Sequence, residues 1–465
     1  MAQAGEENEV VHARRMHPAL PTHAQPPNHH AGFVTRSGSQ LKLEDKPFYF
    51  LGANAYWLQD ANESKVDEFF WYAQSFGLKV IRFWAFNHQL PRGWGDYDET
   101  QFKHLDYIIR AASYKNIKLV LALGNTWKAY RSPEDMLRMS GVNPDQTDLL
   151  GLYRSEKFEE FYRVHILSVA NRVNSYTGVK YSEDDTIMMW DVLNEPRCPG
   201  CTGESEEADH MSWLSRMADF LKSQAPHQLV ATGTEGYFSD GAGASCEGED
   251  WVGISNLSSV DVATAHLYWR QMESIPPTWF QCDWECYFSF YKQYVLRHAA
   301  VAGRMGKPFV IEEMNVIANK FTPEQRAAFF QLAYDQLLNN KANNGPLMGI
   351  MFWSAAIGKV WDDGYTIYLD GVTLPSYEPP APAPPTSDTP AAQFAPEIER
   401  GPVYINTEGL DRFRRGDQRS ACAYETAKTW LPAWSPDAIN AAWYMRRTEG
   451  KQVQQIIKET ADQLA

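Results

Sequence analysis

At 465 residues, 44% hydrophobic and 22% charged, the chain has the length and balance of a globular protein with one large core rather than a fibrous or disordered one. Its net charge of −15 argues against nucleic acid and anionic membrane as partners, since both require basic patches. No apolar run approaches the roughly 20 residues of a membrane span.

Residues 1–31 mix charges, prolines and histidines and have no apolar h-region, so they read as a disordered leader and not as a signal peptide. Residues 32–52 read as a hairpin, with Phe33–Thr35 and Gln40–Leu43 flanking Arg36-Ser37-Gly38-Ser39. From there apolar strands alternate with amphipathic helices. The strands are expected at 49–57, 79–86, 117–124, 186–193, 229–235, 261–268, 308–314 and 348–355. Most are unbroken apolar runs, as expected of strands covered on both faces of a parallel sheet. Helices are expected at 64–76, 101–115, 155–175, 206–224, 287–303 and 323–340, with starts at Ser64 and Thr322-Pro323-Glu324.

Eight strands alternating with helices predict an α/β fold, a (β/α)8 TIM barrel. An open doubly wound sheet is the rival. Gly52-Ala53-Asn54-Ala55 after the first strand lacks the phosphate-binding glycine fingerprint that such a sheet would carry. Residues 362–402 include the segment SYEPPAPAPPTSDTPAAQ, too rich in Pro for helix or strand, and read as a loop insert after strand eight. The segment 420–431 would then supply the last barrel helix. The domain plan is therefore a leader at 1–31, a catalytic barrel at 32–433 and a helical extension at 434–465.

The six cysteines include two close pairs, Cys198-Pro-Gly-Cys201 and Cys282-Asp-Trp-Glu-Cys286, with Cys246 and Cys422 apart. An even count suits disulfides in an oxidising compartment, and the two close pairs also have the spacing of a four-cysteine zinc site. The sequons Asn62-Glu63-Ser64 and Asn256-Leu257-Ser258 point in the secreted direction.

In a barrel of this kind the reactive groups lie at the C-terminal ends of the strands. The polar and aromatic residues that fall there are Asn54, Tyr56 and Trp57; Arg82 and Trp84; Asn125 and Trp127; Asn194, Glu195 and Arg197; His266 and Tyr268; Glu312 and Glu313; and Trp353. Two carboxylates on different strands suit glycoside hydrolysis, in which one acid protonates the leaving oxygen and the other attacks the anomeric carbon or activates water. Their surroundings must split their pKa values, one acid protonated and the other ionised. The 16 Trp, in a chain 13% aromatic, would supply flat rings for sugar faces. Strand alternation allows only one of Glu312 and Glu313 to face the barrel mouth, and Arg82 would pair with it. His266 and Tyr268, two apart on one strand, share a face.

Trp190-Asp191-Val192-Leu193-Asn194-Glu195-Pro196 resembles the acid/base strand of the clan A glycoside hydrolases, and Lys307-Pro308-Phe309-Val310-Ile311-Glu312-Glu313 resembles their nucleophile strand. Together with Ile81-Arg82-Phe83-Trp84-Ala85-Phe86-Asn87, the Arg197-Cys198 extension and His266-Leu267-Tyr268-Trp269, they resemble glycoside hydrolase family 5, and within it the endo-β-1,4-mannanases of plants and fungi. The resemblance covers about residues 32–433 less the insert. It implies Glu195 as acid/base and Glu313, over Glu312, as nucleophile. Arg82, Asn194, His266 and Tyr268 would position the nucleophile and the reacting sugar, with Trp353 as its platform, and Trp84 is a further candidate for binding substrate. Trp127 and Arg197 would bind the leaving-group side, and Cys198–Cys201 would be a small disulfide in place of zinc. The chain departs from the family pattern at Met314-Asn315, where Phe-Gly is usual, and at Phe83, where Thr is usual, as well as in its Pro-rich insert.

The implied activity is endo-acting, configuration-retaining hydrolysis of β-1,4-mannan by a secreted monomer without cofactor or metal, the signal peptide lying outside this chain. Cellulase, mixed-linkage glucanase and mannan transglycosylase are rivals on the same scaffold. An inactive carbohydrate-binding relative would be marked by loss of one carboxylate, and both are present.

Overall fold

The computed structural model describes residues 32–371 and 450–465, apart from 128–129, 148, 199–200, 202–203, 240–247, 269–283, 319 and 361–363. The leader, most of the Pro-rich insert, the helix expected at 420–431, the start of the tail, and Cys246, Cys282 and Cys422 lie outside the described residues.

The sheet comprises β1 Phe50–Asn54, β2 Val80–Trp84, β3 Lys118–Ala122, β4 Ile187–Asp191, β5 Leu229–Ala231, β6 Ala263–Tyr268, β7 Phe309–Asn315 and β8 Leu347–Phe352. The strands pair in parallel in the order β5-β4-β3-β2-β1-β8-β7-β6. Between the two outer strands, Asp261 N donates to Val230 O at 2.8 Å and His266 N to Glu235 O at 3.1 Å, which draws the sheet round into a barrel. The fold is a (β/α)8 barrel. All but one of the strand residues are buried, because helices cover the outside and side chains fill the inside, hence the unbroken apolar runs. A short antiparallel hairpin, Thr35–Ser37 with Gln40–Leu43, precedes the barrel.

The outer layer contains α1 Glu63–Ser75, α2 Glu99–Tyr114, α3 Glu156–Ala170, α4 Glu204–Gln224, the short α5 Trp251–Ser255, α6 Trp284–Met305 and α7 Pro323–Ala342. The cap of α1 is Asn62 and not Ser64, its side chain accepting from Lys65 N at 2.9 Å. Thr322 caps α7 through a reciprocal capping box with Gln325. Among the described residues no helix is long and apolar enough to cross a membrane.

Helix α8, Lys451–Leu464, packs on α7 and against β1. Its buried face is Val453, Gln454, Ile457, Thr460, Ala461 and Leu464. Gly77, at the turn after α1, has φ +75° and sits where a Cβ would lie 2.7 Å from that of Ala461, so glycine permits the close approach. Lys79 Nζ and Lys341 Nζ cap the last carbonyls of α8 at Leu464 and Gln463. The fold also continues past the expected start of the insert at 362. Ile367–Tyr368 pairs with Ala355–Ala356, and Asn315 Nδ2 donates to Tyr365 O at 2.7 Å.

Since Ile457 is fully buried in this contact, Ile457→Ala is expected to lower the unfolding free energy by about 2–5 kcal/mol. Chemical denaturation checks this, and an unchanged midpoint would mean that α8 does not seal the barrel.

Candidate active site

The residues leaving β4 are held by the loops on either side. Asn194 N donates to Gly124 O at 2.9 Å and Glu195 N to Gly233 O at 2.8 Å. Gly233 has φ +76°, and a Cβ there would lie 2.4 Å from Leu193 O, so a side chain would push the Asn194-Glu195 backbone away. Glu195 itself has φ +47°. A left-handed conformation at a non-glycine residue costs about 1–3 kcal/mol and is kept only where the surroundings enforce it, commonly at active sites.

Arg82 from β2 is fully buried, and its donors reach four partners across the barrel. Nε meets Asp191 Oδ2 at 2.7 Å, Nη1 meets Glu313 Oε1 at 2.7 Å and Asn54 Oδ1 at 3.1 Å, and Nη2 meets Asn194 Oδ1 at 2.7 Å. Tyr268 Oη donates to the other oxygen of Glu313 at 2.7 Å. Burial alone would favour a neutral Arg82, but Asp191, Glu312 and Glu313 outweigh it and keep the guanidinium charged. Burial, then the charge of Glu313, holds the Tyr268 phenol far above its ordinary value, so it remains a donor.

The adjacent acids on β7 correct the alternation argument. The register between β7 and β6 shifts between Ile311 and Glu313, with Glu313 opposite His266. Such an irregularity breaks strict alternation and re-aims side chains. Both acids consequently reach the interior group: His266 Nε2 lies 3.7 Å from Glu312 Oε2, and His266 Nδ1 lies 3.7 Å from Glu313 Oε2. Arg82 hydrogen-bonds Glu313, the acid the family resemblance selects.

Glu195 is held by a different set. His266 Nδ1 is 2.7 Å from Glu195 Oε1, and the Trp127 indole N–H donates to Oε2. Arg197 lies 3.6 Å from Oε2, but its guanidinium is bidentate to Glu235, at 2.9 and 2.6 Å, and stacks 3.8 Å from the Trp127 ring centroid. Trp127 and Arg197, expected on the leaving-group side, thus also grip the acid itself. Glu235, at the end of the run that forms β5, and Asp191 within β4 were not singled out from the sequence. Their signal was present, as acids at the mouth end of barrel strands, but nothing in the sequence identified their arginine partners.

An aromatic wall flanks the acids. Trp353 is partly exposed and stacks on Tyr56 at 4.9 Å with an 11° interplanar angle, and Trp84 lies 5.7 Å from Trp353. The structure therefore brings all ten residues expected at the site, Arg82, Trp84, Trp127, Asn194, Glu195, Arg197, His266, Tyr268, Glu313 and Trp353, into one contiguous group. Cys198 and Cys201 form a disulfide directly after it, which removes them from any zinc site.

Glu195 departs from the protonated state expected of the acid. Burial opposes ionisation of Glu195, yet the hydrogen bond from His266 and the charges of Arg197 and His266 outweigh it and hold the carboxyl down at about 2. Burial also opposes the charge on His266, but Glu313, Glu195 and Glu312 raise it well above its ordinary value. In the resting site Glu195 is ionised and its neighbour carries the proton.

Residues 143–367 match the family model described as GH family 5 beta-mannosidase-like. A putative mannan endo-1,4-beta-mannosidase 4 of Arabidopsis thaliana is 32% identical over 349 residues, covering 69% of this chain and 83% of the relative. A rice counterpart, putative mannan endo-1,4-beta-mannosidase 5, is 31% identical over 370 residues, covering 73% of each. The chain belongs to glycoside hydrolase family 5. Among solved structures, the endo-beta-1,4-mannanase of Thermotoga petrophila superposes with TM-score 0.60 at 29% identity, covering 70% of this chain and 74% of that one. The endo-1,4-beta-mannanase of Rhizomucor miehei gives 0.60 at 29% identity, covering 73% and 95%.

For a glycoside hydrolase 5 enzyme the electrostatics of the site are self-contained. One ligand atom each from Glu195, His266 and Glu313 lies within 4.8 Å of the others, a set able in principle to hold a divalent ion. Their oxygens already accept from Arg82, Tyr268, Trp127 and His266, and the guanidinium of Arg82 supplies the positive charge a metal would bring.

Because the folded value of Glu195 lies below its ordinary 4.5, its contribution to stability is present above about pH 4.5 and is lost as pH falls towards 2. Over that window wild-type unfolding free energy is expected to fall by about 3 kcal/mol more than that of Glu195→Gln. Urea denaturation across the acid range tests this, and equal acid sensitivity would contradict the resting ion pair.

Proposed function

We propose that this family 5 glycoside hydrolase cleaves internal β-1,4-mannosidic bonds of mannan, glucomannan and galactomannan by double displacement with retention of configuration. The observation that carries the reading is the closeness of the two acids: an oxygen of Glu195 and one of Glu313 lie within 4.8 Å. Retaining enzymes separate the carboxyl groups by about 5–5.5 Å, whereas inverting ones need about 6.5–9.5 Å to admit water.

In this reading Glu313 is the nucleophile. Arg82 and Tyr268 fix one oxygen each, leaving the carboxylate aimed at the anomeric carbon. Glu195 is the acid/base on the opposite side of the scissile bond. Asn194, oriented by Arg82 and by its own bond to Asn125 at 3.0 Å, faces the sugar bound at the reacting position. Trp353, backed by Tyr56 and flanked by Trp84, is the platform for that sugar, while Trp127 and Arg197 border the leaving group. No step calls for a cofactor or metal.

The mannan preference is supported by the names of the plant relatives and of the two bacterial and fungal structures near 29% identity. An extracellular place is supported by the Cys198–Cys201 disulfide and by the exposed sequon residues Asn62 and Asn256. The enzyme would act as a monomer on its polysaccharide.

Glu195→Ala and Glu313→Ala are each expected to lower kcat on mannan by at least about 10²-fold, the usual worth of such a group, with the fold intact by circular dichroism. Reducing-end release should be far faster from mannan than from carboxymethylcellulose. A folded variant with near wild-type activity would overturn the role of its residue, and preference for the cellulose derivative would move the substrate to glucan.

A further inference from the structure

The mechanism sets the resting site a problem. Glu195 must give a proton to the leaving oxygen, but the groups around it hold it ionised. The proton nearest to it is on His266, whose Nδ1 lies 2.7 Å from Glu195 Oε1. His266 is fully buried, so this proton does not exchange freely with solvent. On the far side of the same ring, Nε2 faces Glu312 Oε2 at 3.7 Å. Glu312 is itself fully buried, and among the described residues neither of its oxygens has a hydrogen-bond partner within bonding distance, which leaves the carboxylate facing the imidazole. Behind it stands Asp191, also fully buried and bound through one oxygen to Arg82 Nε.

We propose that Glu312, His266 and Glu195 form a buried proton relay, in which His266 Nδ1 holds the proton that Glu195 delivers to the leaving oxygen and Glu312 is the positioning residue that fixes the ring for it. This rests on the reading of Glu195 as acid/base. As substrate enters, the proton on Nδ1 passes to Glu195 Oε1, leaving a neutral imidazole with its remaining proton on Nε2 facing Glu312. Glu195 then gives that proton to the glycosidic oxygen while the bond from that oxygen to the anomeric carbon breaks and a Glu313 oxygen bonds to the carbon. In the second half, Glu195 takes a proton from the attacking water as the water oxygen bonds to the anomeric carbon and the Glu313 ester bond breaks. The proton returns to Nδ1, and the cycle closes with one water consumed.

The charges facing the ring agree with these directions. Glu195 leaves β4, Glu312 and Glu313 come from β7, Tyr268 lies two residues along β6, and Arg82 from β2 sits among the acids. Burial works against the charge on Glu312, but Arg82 and His266 hold its carboxyl below the ordinary range. Burial and the charge of Glu312 push the Asp191 carboxyl up, against the pull of Arg82. Because Glu312 raises His266, its removal should move the alkaline limb of the activity profile to lower pH.

The test is Glu312→Gln in the full chain, read on two substrates. Mannan needs a protonated leaving oxygen, and a 2,4-dinitrophenyl β-mannobioside does not. The relay predicts a loss of about 10-fold to 10²-fold in kcat on mannan, within the range expected for impaired general-acid catalysis. It also predicts less than about a threefold loss of pre-steady-state dinitrophenolate release, and an alkaline limb shifted to lower pH. Equal losses on both substrates with an unmoved profile would overturn it and leave Glu312 a structural residue. Glu195→Ala run beside it separates the two claims. If that variant loses dinitrophenolate release as fully as mannan activity, the acid/base reading fails; if it keeps release and Glu312→Gln does not, only the relay fails. Nitrogen-15 NMR of histidine-labelled wild type gives a readout independent of how Glu312→Gln folds: an imidazolium signal for His266 at pH 7, absent in His266→Asn, supports the relay, and a neutral ring contradicts it.

Discussion

Arg82 is a full positive charge placed where water cannot reach it, and the barrel mouth is built around satisfying it. An unpaired buried charge would cost several kcal/mol, so every donor direction of the guanidinium has to find an acceptor. It finds Asn54 at the end of β1, Asp191 and Asn194 on and just after β4, and Glu313 on β7. The interaction that makes the buried charge tolerable therefore also fixes the mutual positions of four segments of the barrel and aims the carboxylate of Glu313. A lysine has three donors around a single point and cannot span this fork, which is why the planar guanidinium is needed.

The two acids inherit different surroundings from this arrangement. Glu313 is bound on both oxygens, by a guanidinium and by a phenol that stays protonated, so its carboxyl group is fixed in place. Glu195 is bound by groups that can exchange a proton or release their grip: an imidazole, an indole N–H and an arginine already committed to Glu235. That contrast fits a nucleophile that must remain anionic and an acid/base that must change state twice in each cycle. Strain at Glu195, with its left-handed backbone, is compensated by bonds from the flanking loops and by the absence of a side chain at Gly233.

Much of this was legible in the sequence. The strands could be read because residues buried on both faces leave unbroken apolar runs, and Asn194-Glu195-Pro196 announces itself where one of those runs stops. The pairing of Arg82 with an inward acid followed from charge alone. The harder features are those in which backbone geometry departs from its regular period. The register shift beside Glu312 puts two adjacent acids on one interior cluster, and strict alternation forbids that inference. Partner choice was equally hidden: Arg197 and Glu235 are 38 residues apart, and only the closed barrel brings them together. The tail helix was visible as a helix, but its amphipathic face does not say that it docks on α7 and β1. Gly77, which admits it, carries no such message until the contact with Ala461 is seen.

The most direct measurement of the central claim is to trap the glycosyl-enzyme with a 2-deoxy-2-fluoro-β-mannosyl fluoride and map the modified peptide by mass spectrometry. The account predicts one fluoromannosyl group per chain, in ester linkage to Glu313, formed at a much reduced rate in Arg82→Lys. A label on Glu312 or Glu195, or turnover with inverted configuration and no trapped adduct, would contradict it.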